Sequence, residues 1–304
     1  MPDPFLCVYG HTNLDFIMSL ERLPPKNTSV DIIEKKRYFG GTAANVATMA
    51  SALGVPTALA SFVGTDMPIE FRRMMERFGV DLTDLKVVEG YETPTVWIVS
   101  DKEHNQIAFV YQGPMGAMDT IHPITDMAER SQRAHIMTGR PDYYLKVMEK
   151  LRSKGKKVGF DPAQEVHHVW DPGRFSKALA LSDILFCNES ELSTALRYTG
   201  TTKEEELLDL VPMVVSTRGA KGSVILTKES RVEIPVVHPR SIVDTTGCGD
   251  AYRAGFYAGL YRDLSLFECG VLGSSAASFV IESRGSLTFI PTWDMVMERA
   301  APYL

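Results

Sequence analysis

One run near the end of the chain gathers the residue types that handle an anion beside a base: Asp244-Thr245-Thr246-Gly247-Cys248-Gly249-Asp250-Ala251-Tyr252-Arg253-Ala254-Gly255. Gly247 and Gly249 fall where a loop becomes a helix. Small residues there let backbone N–H groups approach an anion, and the helix dipole adds positive potential. Asp250 falls in the first turn, where a carboxylate stabilises a helix through the dipole alone. It is also placed to accept a proton from an attacking hydroxyl while the adjacent N–H groups hold charge on a transferring phosphoryl group. A second run, Gly40-Gly41-Thr42-Ala43-Ala44-Asn45, leads a glycine pair into a helix. The pair alone specifies no more than a tight turn. Asn45, inside the first turn of an otherwise apolar helix, needs a polar partner if it is buried. His11, Thr12, Asn13 and Asp15 follow the apolar run Phe5–Tyr9, at the strand end where open α/β sheets bind ligands.

Several other chemistries are missing. The chain has no G-x-x-x-x-G-K-[ST], no H-E-x-x-H and no G-x-S-x-G. His167-His168 lacks metal-ligand spacing and reads as solvated or structural. Gly247-Cys248-Gly249 begins like a dinucleotide fingerprint, but Tyr252 stands where its third glycine belongs. With 32 basic and 38 acidic residues the net charge is −6, which argues against a general nucleic-acid or anionic-membrane binder. Cys7, Cys187, Cys248 and Cys269 are scattered and suit reduced thiols in a cytoplasmic protein. No signal peptide is expected at Met1-Pro2-Asp3-Pro4-Phe5, and no stretch approaches a membrane span.

The elements that must position these residues follow from periodicity. Strands are expected at Phe5–Tyr9, Ala58–Val63, Ala134–Met137, Val158–Phe160, Ile184–Cys187, Val211–Ser216 and Ser223–Thr227. Helices are expected from Gly40-Gly41 to Gly54, at Pro68–Phe78 and Tyr143–Ser153, from Glu189, and at Asp250–Tyr261, Leu266–Glu282 and Trp293–Ala300. Such alternation predicts an α/β fold, a mostly parallel central sheet with helices on both faces. Two half-exposed regions, about 14–38 and 91–112, are expected to pair into a small β-sheet lid on a single domain spanning 1–304. The second reads as a hairpin, Thr95–Val99 and Ile107–Tyr111, around the turn Asp101-Lys102-Glu103-His104-Asn105.

Asp15, Gly40-Gly41-x-x-x-Asn45, Asn188-Glu189-Ser190-Glu191, Thr217-Arg218-Gly219-Ala220-Lys221-Gly222 and Asp244-Thr-x-Gly-x-Gly-Asp250 occur in this order. The set resembles the ribokinase-like (PfkB) family of sugar and nucleoside kinases over essentially the whole chain. The resemblance implies that Asp250 is the catalytic base and that Gly247, Cys248 and Gly249 form an anion hole. Cys248 stands where the family commonly has Ala. Asn188 and Glu191 match an N-x-x-E that places Mg²⁺ and its waters. Asn188, Thr217, Gly219 and Gly222 match the ATP site. Asp15, Gly41 and Asn45 match residues that bind the hydroxyls of a ribose-like ring. A monovalent cation is expected near Asp244, and a homodimer through the lid.

Gly10-His-Thr-Asn-Leu-Asp15, Thr93-Pro-Thr-Val-Trp-Ile98, Asn105-Gln106-Ile107, Phe160-Asp-Pro-Ala-Gln164 and Pro291-Thr-Trp-Asp294 resemble the archaeal-type nucleoside kinase branch. That resemblance makes Asp31, Gln112 and Gln164 candidates for base or ribose contacts. Thr42 follows the glycine pair where the ribokinase pattern has Lys or a similar residue. The expected activity is ATP-dependent phosphorylation of a nucleoside 5′-hydroxyl. The alternatives are a kinase for ribose, fructose or a 2-keto-3-deoxygluconate type of sugar, and a non-catalytic nucleoside-binding relative.

Overall fold

The computed structural model describes residues 3–103 and 105–304. Met1 and Pro2, at the start where no signal peptide is expected, and His104, in the expected hairpin turn, lie outside the described residues. The N-terminal half runs β1 (Leu6–Tyr9), β2 (Asn13–Leu20), β3 (Ile32–Gly40), α1 (Thr42–Ala52), β4 (Thr57–Val63), α2 (Ile69–Arg77), β5 (Leu85–Val87), β6 (Thr95–Ser100) and β7 (Gln106–Tyr111). There follow α3 (Asp126–Arg130), β8 (Arg133–Ile136), α4 (Pro141–Ser153), β9 (Lys157–Phe160), α5 (Pro172–Ala180), β10 (Ile184–Asn188) and α6 (Glu189–Thr199). The chain then passes through β11 (Met213–Thr217), β12 (Ser223–Thr227), β13 (Arg231–Ile234), α7 (Cys248–Tyr261), α8 (Leu266–Val280) and α9 (Trp293–Ala300).

Nine strands form one sheet in the order β13-β12-β11-β10-β9-β8-β1-β4-β5. From β5 to β11 every pairing is parallel; β12 and β13 add antiparallel pairings at one edge. Parallel strands need helical crossovers, and the helices cover both faces. In β1, Leu6 and Val8 join a core with α1, α7 and α8, while Cys7 and Tyr9 join a second core with α4 and α5. That alternation follows from the two-residue period of a strand.

The expected small sheet is present, in the order β3-β2-β6-β7. Its outer pairs are antiparallel and its central pair, β2 with β6, is parallel. Leu14 is buried at its root, and Phe39 stacks on Phe71 of α2 with ring centroids 4.5 Å apart. Register gives the two faces distinct contents. Phe16, Trp97 and Phe109 lie in one cross-strand row; Asp15, Tyr38, Val96 and Val110 lie on the opposite face.

Four elements escaped the periodicity. α3 is five residues long, too short for a helical period to show. β5 is three residues long, too short to show a period. β13 mixes exposed and buried residues in four positions. α5 opens on Pro172-Gly173, which reads as a turn, yet Asp171 caps it by accepting from the Arg174 N–H and Pro172 takes the first-turn place open to proline. The glycine pair also divides differently from expectation: Gly40 ends β3, and Gly41, at φ 102°, precedes α1.

α7, which begins at the Gly247–Asp250 turn, packs along α8, and Gly255 sets their spacing. A Cβ there would lie 2.5 Å from the Leu272 carbonyl oxygen and 2.9 Å from Gly273 Cα. Backbone cannot yield as a flexible side chain can. Gly255→Val is expected to destabilise the chain by about 2–3 kcal/mol, the upper range for overpacking. Chemical denaturation measures it, and an unchanged midpoint would show that the helices separate freely.

Candidate active site

Because seven neighbouring strands run parallel, their C-terminal ends share one edge, and the loops there meet the N-termini of α1, α6 and α7. Gly247, at φ 79°, turns the chain into α7, and a Cβ on it would overlap Ser286. Cys248, Gly249 and Asp250 make up the first turn, with no side-chain cap on their N–H groups. Asn45, 4% exposed, donates from Nδ2 to Asp250 Oδ2 at 2.7 Å and accepts from Ser286 Oγ at 2.9 Å. Burial pushes the Asp250 carboxyl up to about 7; the Asn45 donor and Arg253 oppose this, while Asp161 and Asp15 add to it.

Asp15 points from β2 toward the same edge. A Cβ on Gly40 would overlap its carboxylate, so only glycine leaves room for it. Asn13 Nδ2 donates to Asp15 Oδ1. Burial pushes Asp15 up to about 7, against the Asn13 donor and with the help of the Asp244 charge. A side chain on Gly41 would meet the His11 carbonyl and Asn13 Oδ1. The two glycines therefore bring the β2, β3 and α1 junctions together.

Gln112 also reaches this edge. Its Oε1 accepts from His11 Nε2 at 2.5 Å, and His11 Nδ1 bonds Thr138 Oγ1 at 2.7 Å, which bonds Thr42 Oγ1 at 2.7 Å. Gln164 is exposed on the turn after β9. Asp31 departs from expectation. It is exposed just before β3, at the end of the β2–β3 pair opposite Asn13 and Gly40. Seven steps along a strand separate these ends by about 24 Å. An acidic residue amid half-exposed strand residues gave no signal for which end it occupied.

Asn188 caps α6: its Oδ1 accepts from the Glu191 N–H at 2.9 Å, and Glu191 Oε2 accepts from the Asn188 N–H at 2.8 Å. Glu191 is buried. Burial and the Asp161 charge push it up to about 6, with Arg253 opposing. Thr217 ends β11, and Gly219 and Gly222 shape the turn into β12 at φ 55° and 83°. A cavity of about 480 Å³ adjoins this turn, lined in part by Glu189, Arg218, Lys221 and Ser223. Asp244 accepts the Thr246 N–H at 2.9 Å and the Gly285 N–H at 3.0 Å. Burial works against its charge, but these donors hold its carboxyl below the usual range.

Comparison with known proteins gives the family. Residues 3–293 match the model of the pfkB family carbohydrate kinases. The chain belongs to that family. It is 36% identical over 299 residues to a nucleoside kinase of Methanocaldococcus jannaschii, covering 96% of this chain and 95% of that one. It is 35% identical over 299 residues to a nucleoside kinase of Methanothermobacter thermautotrophicus, covering 98% and 96%. The crystal structure of the M. jannaschii nucleoside kinase, an archaeal member of the ribokinase family, superposes with a TM-score of 0.93 at 34% identity, covering 99% of this chain and 100% of that one.

As a pfkB-family kinase, the chain places at this edge three groups that the motifs left without a role. Ser286 completes the Asn45 bridge, and nothing in its neighbourhood marks it. Asp161 directly follows buried β9, and Arg253 sits on an apolar helix face; a charge in either place was a readable signal. Among the described residues, no group of three or more His, Cys, Asp or Glu side chains could cage a metal. The oxygen donors Asn188 and Glu191 fit Mg²⁺ only through waters, the mode this ion favours when phosphates supply most of its ligands. No helix among the described residues is long and apolar enough to cross a membrane.

The Asn45 contact is testable by titration. Donation from Asn45 favours ionised Asp250, so Asn45→Ala is expected to move the Asp250 midpoint above about 7. Carboxyl ¹³C NMR over pH 5 to 9 reads it. A midpoint that stays put would show that Asn45 does not tune the carboxyl.

Proposed function

We propose that this pfkB-family kinase transfers the γ-phosphoryl group of ATP to the 5′-hydroxyl of a nucleoside, with Asp250 as base. The observation that carries the reading is the Asn45–Asp250 contact. It brings the glycine-pair helix and the anion-site helix to one point, beside Asp15. The nucleoside kinases similar over nearly the whole chain supply the acceptor class.

In this mechanism Asp15, Gly41 and Asn45 orient the acceptor's ring hydroxyls, with Gln112 and Gln164 nearer its base. Asp31 is too far along the small sheet to join them. Asp250 takes the hydroxyl proton as the oxygen attacks phosphorus. The N–H groups of Gly247, Cys248 and Gly249 carry the charge on the transferring group. Thr217, Gly219, Gly222 and Asn188 hold the nucleotide beside the β11–β12 turn. Mg²⁺, held through its waters by Asn188 and Glu191, neutralises phosphate charge when bound. Asp244, kept ionised by the Thr246 and Gly285 N–H groups, would be the carboxylate that meets a monovalent cation. We place the enzyme in the cytoplasm, which suits its ATP requirement and four free cysteines.

The small sheet acts as a lid on a single kinase domain spanning residues 1–304. Its inner face carries Asp15; its outer row includes Phe109 at 57% exposure, with Ile107 beside it at 44%. An apolar face of this kind is efficiently covered by the same face of a second copy around a two-fold axis. Light scattering at micromolar concentration is expected to give a dimer that Phe109→Glu dissociates. A wild-type monomer would remove the lid-to-lid model.

Asp250→Asn is expected to lower kcat by about 10²-fold or more, the range for a general base, with little change in acceptor KM. Near-normal turnover would show that the base lies elsewhere. ADP release with ATP and Mg²⁺ is expected to rise more with adenosine, inosine, guanosine or cytidine than with ribose, fructose or 2-keto-3-deoxygluconate. A higher kcat/KM for a free sugar than for every nucleoside would put the sugar-kinase reading first. No ADP release with any acceptor would favour a binding-only relative.

A further inference from the structure

Arg253 lies one turn after Asp250 on α7 and is 5% exposed. Burying a guanidinium carries a large desolvation cost unless its donors are used. Its Nε donates to Asp161 Oδ2 at 2.7 Å, and Asp161 is itself 1% exposed. That contact uses one edge of the guanidinium. The other end reaches back along α7: Nη1 lies 2.7 Å from the point a Cβ on Gly249 would occupy. The absence of a side chain at Gly249 therefore leaves room for a cation at the first turn of α7, beside N–H groups that carry no side-chain cap.

We propose that Arg253 is a catalytic residue of this kinase, a cation in the anion site whose Nη donors contact the phosphoryl group as it passes from ATP to the acceptor. The proposal rests on the kinase reading of the site. Asp161, Glu191 and Asp250 surround the guanidinium and hold it protonated although burial works against the charge. An arriving γ-phosphate meets the Asp250 carboxylate as a like charge, and a fixed cation beside that carboxylate offsets the repulsion. In the step, the acceptor O–P bond forms, the bond from Pγ to the bridging oxygen breaks, and its electron pair leaves on the β-phosphate of ADP. The hydroxyl proton goes to Asp250. Arg253 donates hydrogen bonds throughout and transfers no proton.

The test begins with the acceptor panel on the wild-type chain. If only a sugar responds, the nucleoside reading falls and the Arg253 measurements are made with that sugar. Arg253→Lys keeps a charge beside Asp161 and loses the fork geometry. Arg253→Gln removes the charge, and the double variant Arg253→Met with Asp161→Asn removes both members of the buried pair, so that one variant folds without a stranded ion. For each folded variant kcat is expected to fall by about 10²-fold or more, the loss seen when a donor to a developing oxyanion is removed. Acceptor KM and ADP affinity are expected to hold within about threefold, since the contact matters chiefly in transit. Calorimetry of ADP with aluminium fluoride and acceptor is expected to show the tightening over ADP alone in the wild type and its loss in the variants. A purely structural role predicts a lower melting temperature with kcat and that tightening retained. Retention of either kcat or the tightening in a folded variant overturns the proposal.

Discussion

The hydrogen bond from Asn45 to Asp250 joins residues 205 positions apart and fixes the geometry of everything around it. Asn45 sits on α1, directly after the junction of the small sheet with the large one. Asp250 sits on α7, in the first turn after the Gly247 bend. α1 and α7 pack on the same face of the large sheet, within the core that includes Leu6 and Val8. Strand order makes this possible: β1 lies between β4 and β8 in mid-sheet, so the loop after β1 faces the loops of the C-terminal half. In the proposed mechanism the base is aimed by the segment that holds the acceptor.

Electrostatics then sets what the surrounding residues must be. A carboxylate near a polyanion is unstable unless its charge is met, and this edge collects Asp15, Asp161, Glu191, Asp244 and Asp250. Each is answered by a partner of its own. Asp244 takes two backbone N–H groups, Asp15 takes the Asn13 amide, Asp250 takes the Asn45 amide, and Asp161 takes the guanidinium of Arg253. Glu191 accepts from the backbone N–H of Asn188, the residue that caps α6. Asp15 and Asp250, with single amide donors, are both pushed up to about 7, so they change charge near neutral pH. A base poised there is suited to proton transfer at physiological pH.

How much of this was legible in the sequence depended on whether the signal was local. The buried strands Leu6–Tyr9 and Ile184–Asn188 announced themselves as apolar runs, and the helix from Glu189 followed the second of them. The glycine pair and the Gly247–Asp250 turn were readable because their residue types are costly elsewhere. Ser286 was not, since its importance comes only from contact with Asn45, 241 positions away. Arg253 stood inside a quoted motif, yet its role depends on Asp161, which folding alone places beside it. The place of Asp31 was hidden for the opposite reason. Register, which decides the end of a hairpin a residue occupies, is fixed by pairing along the whole strand rather than by local type.

The small sheet is attached to the site at both of its roots. One root is the turn from β1 into β2, where His11 and Asn13 approach Gly41 and Asp15 takes its place beside Gly40. The other is the exit from β7, where Gln112 accepts from His11. Both roots thus meet at His11, which is anchored through Thr138 to the end of β8 and through it to Thr42 at the start of α1. A ligand that bonds Asp15 or Gln112 touches the sheet at its hinges, where a small rotation moves the far end most. Proposed lid closure and proposed acceptor recognition therefore draw on the same few residues. In that proposal the energy of one is linked to the other through the roots of the sheet, far from Asp31.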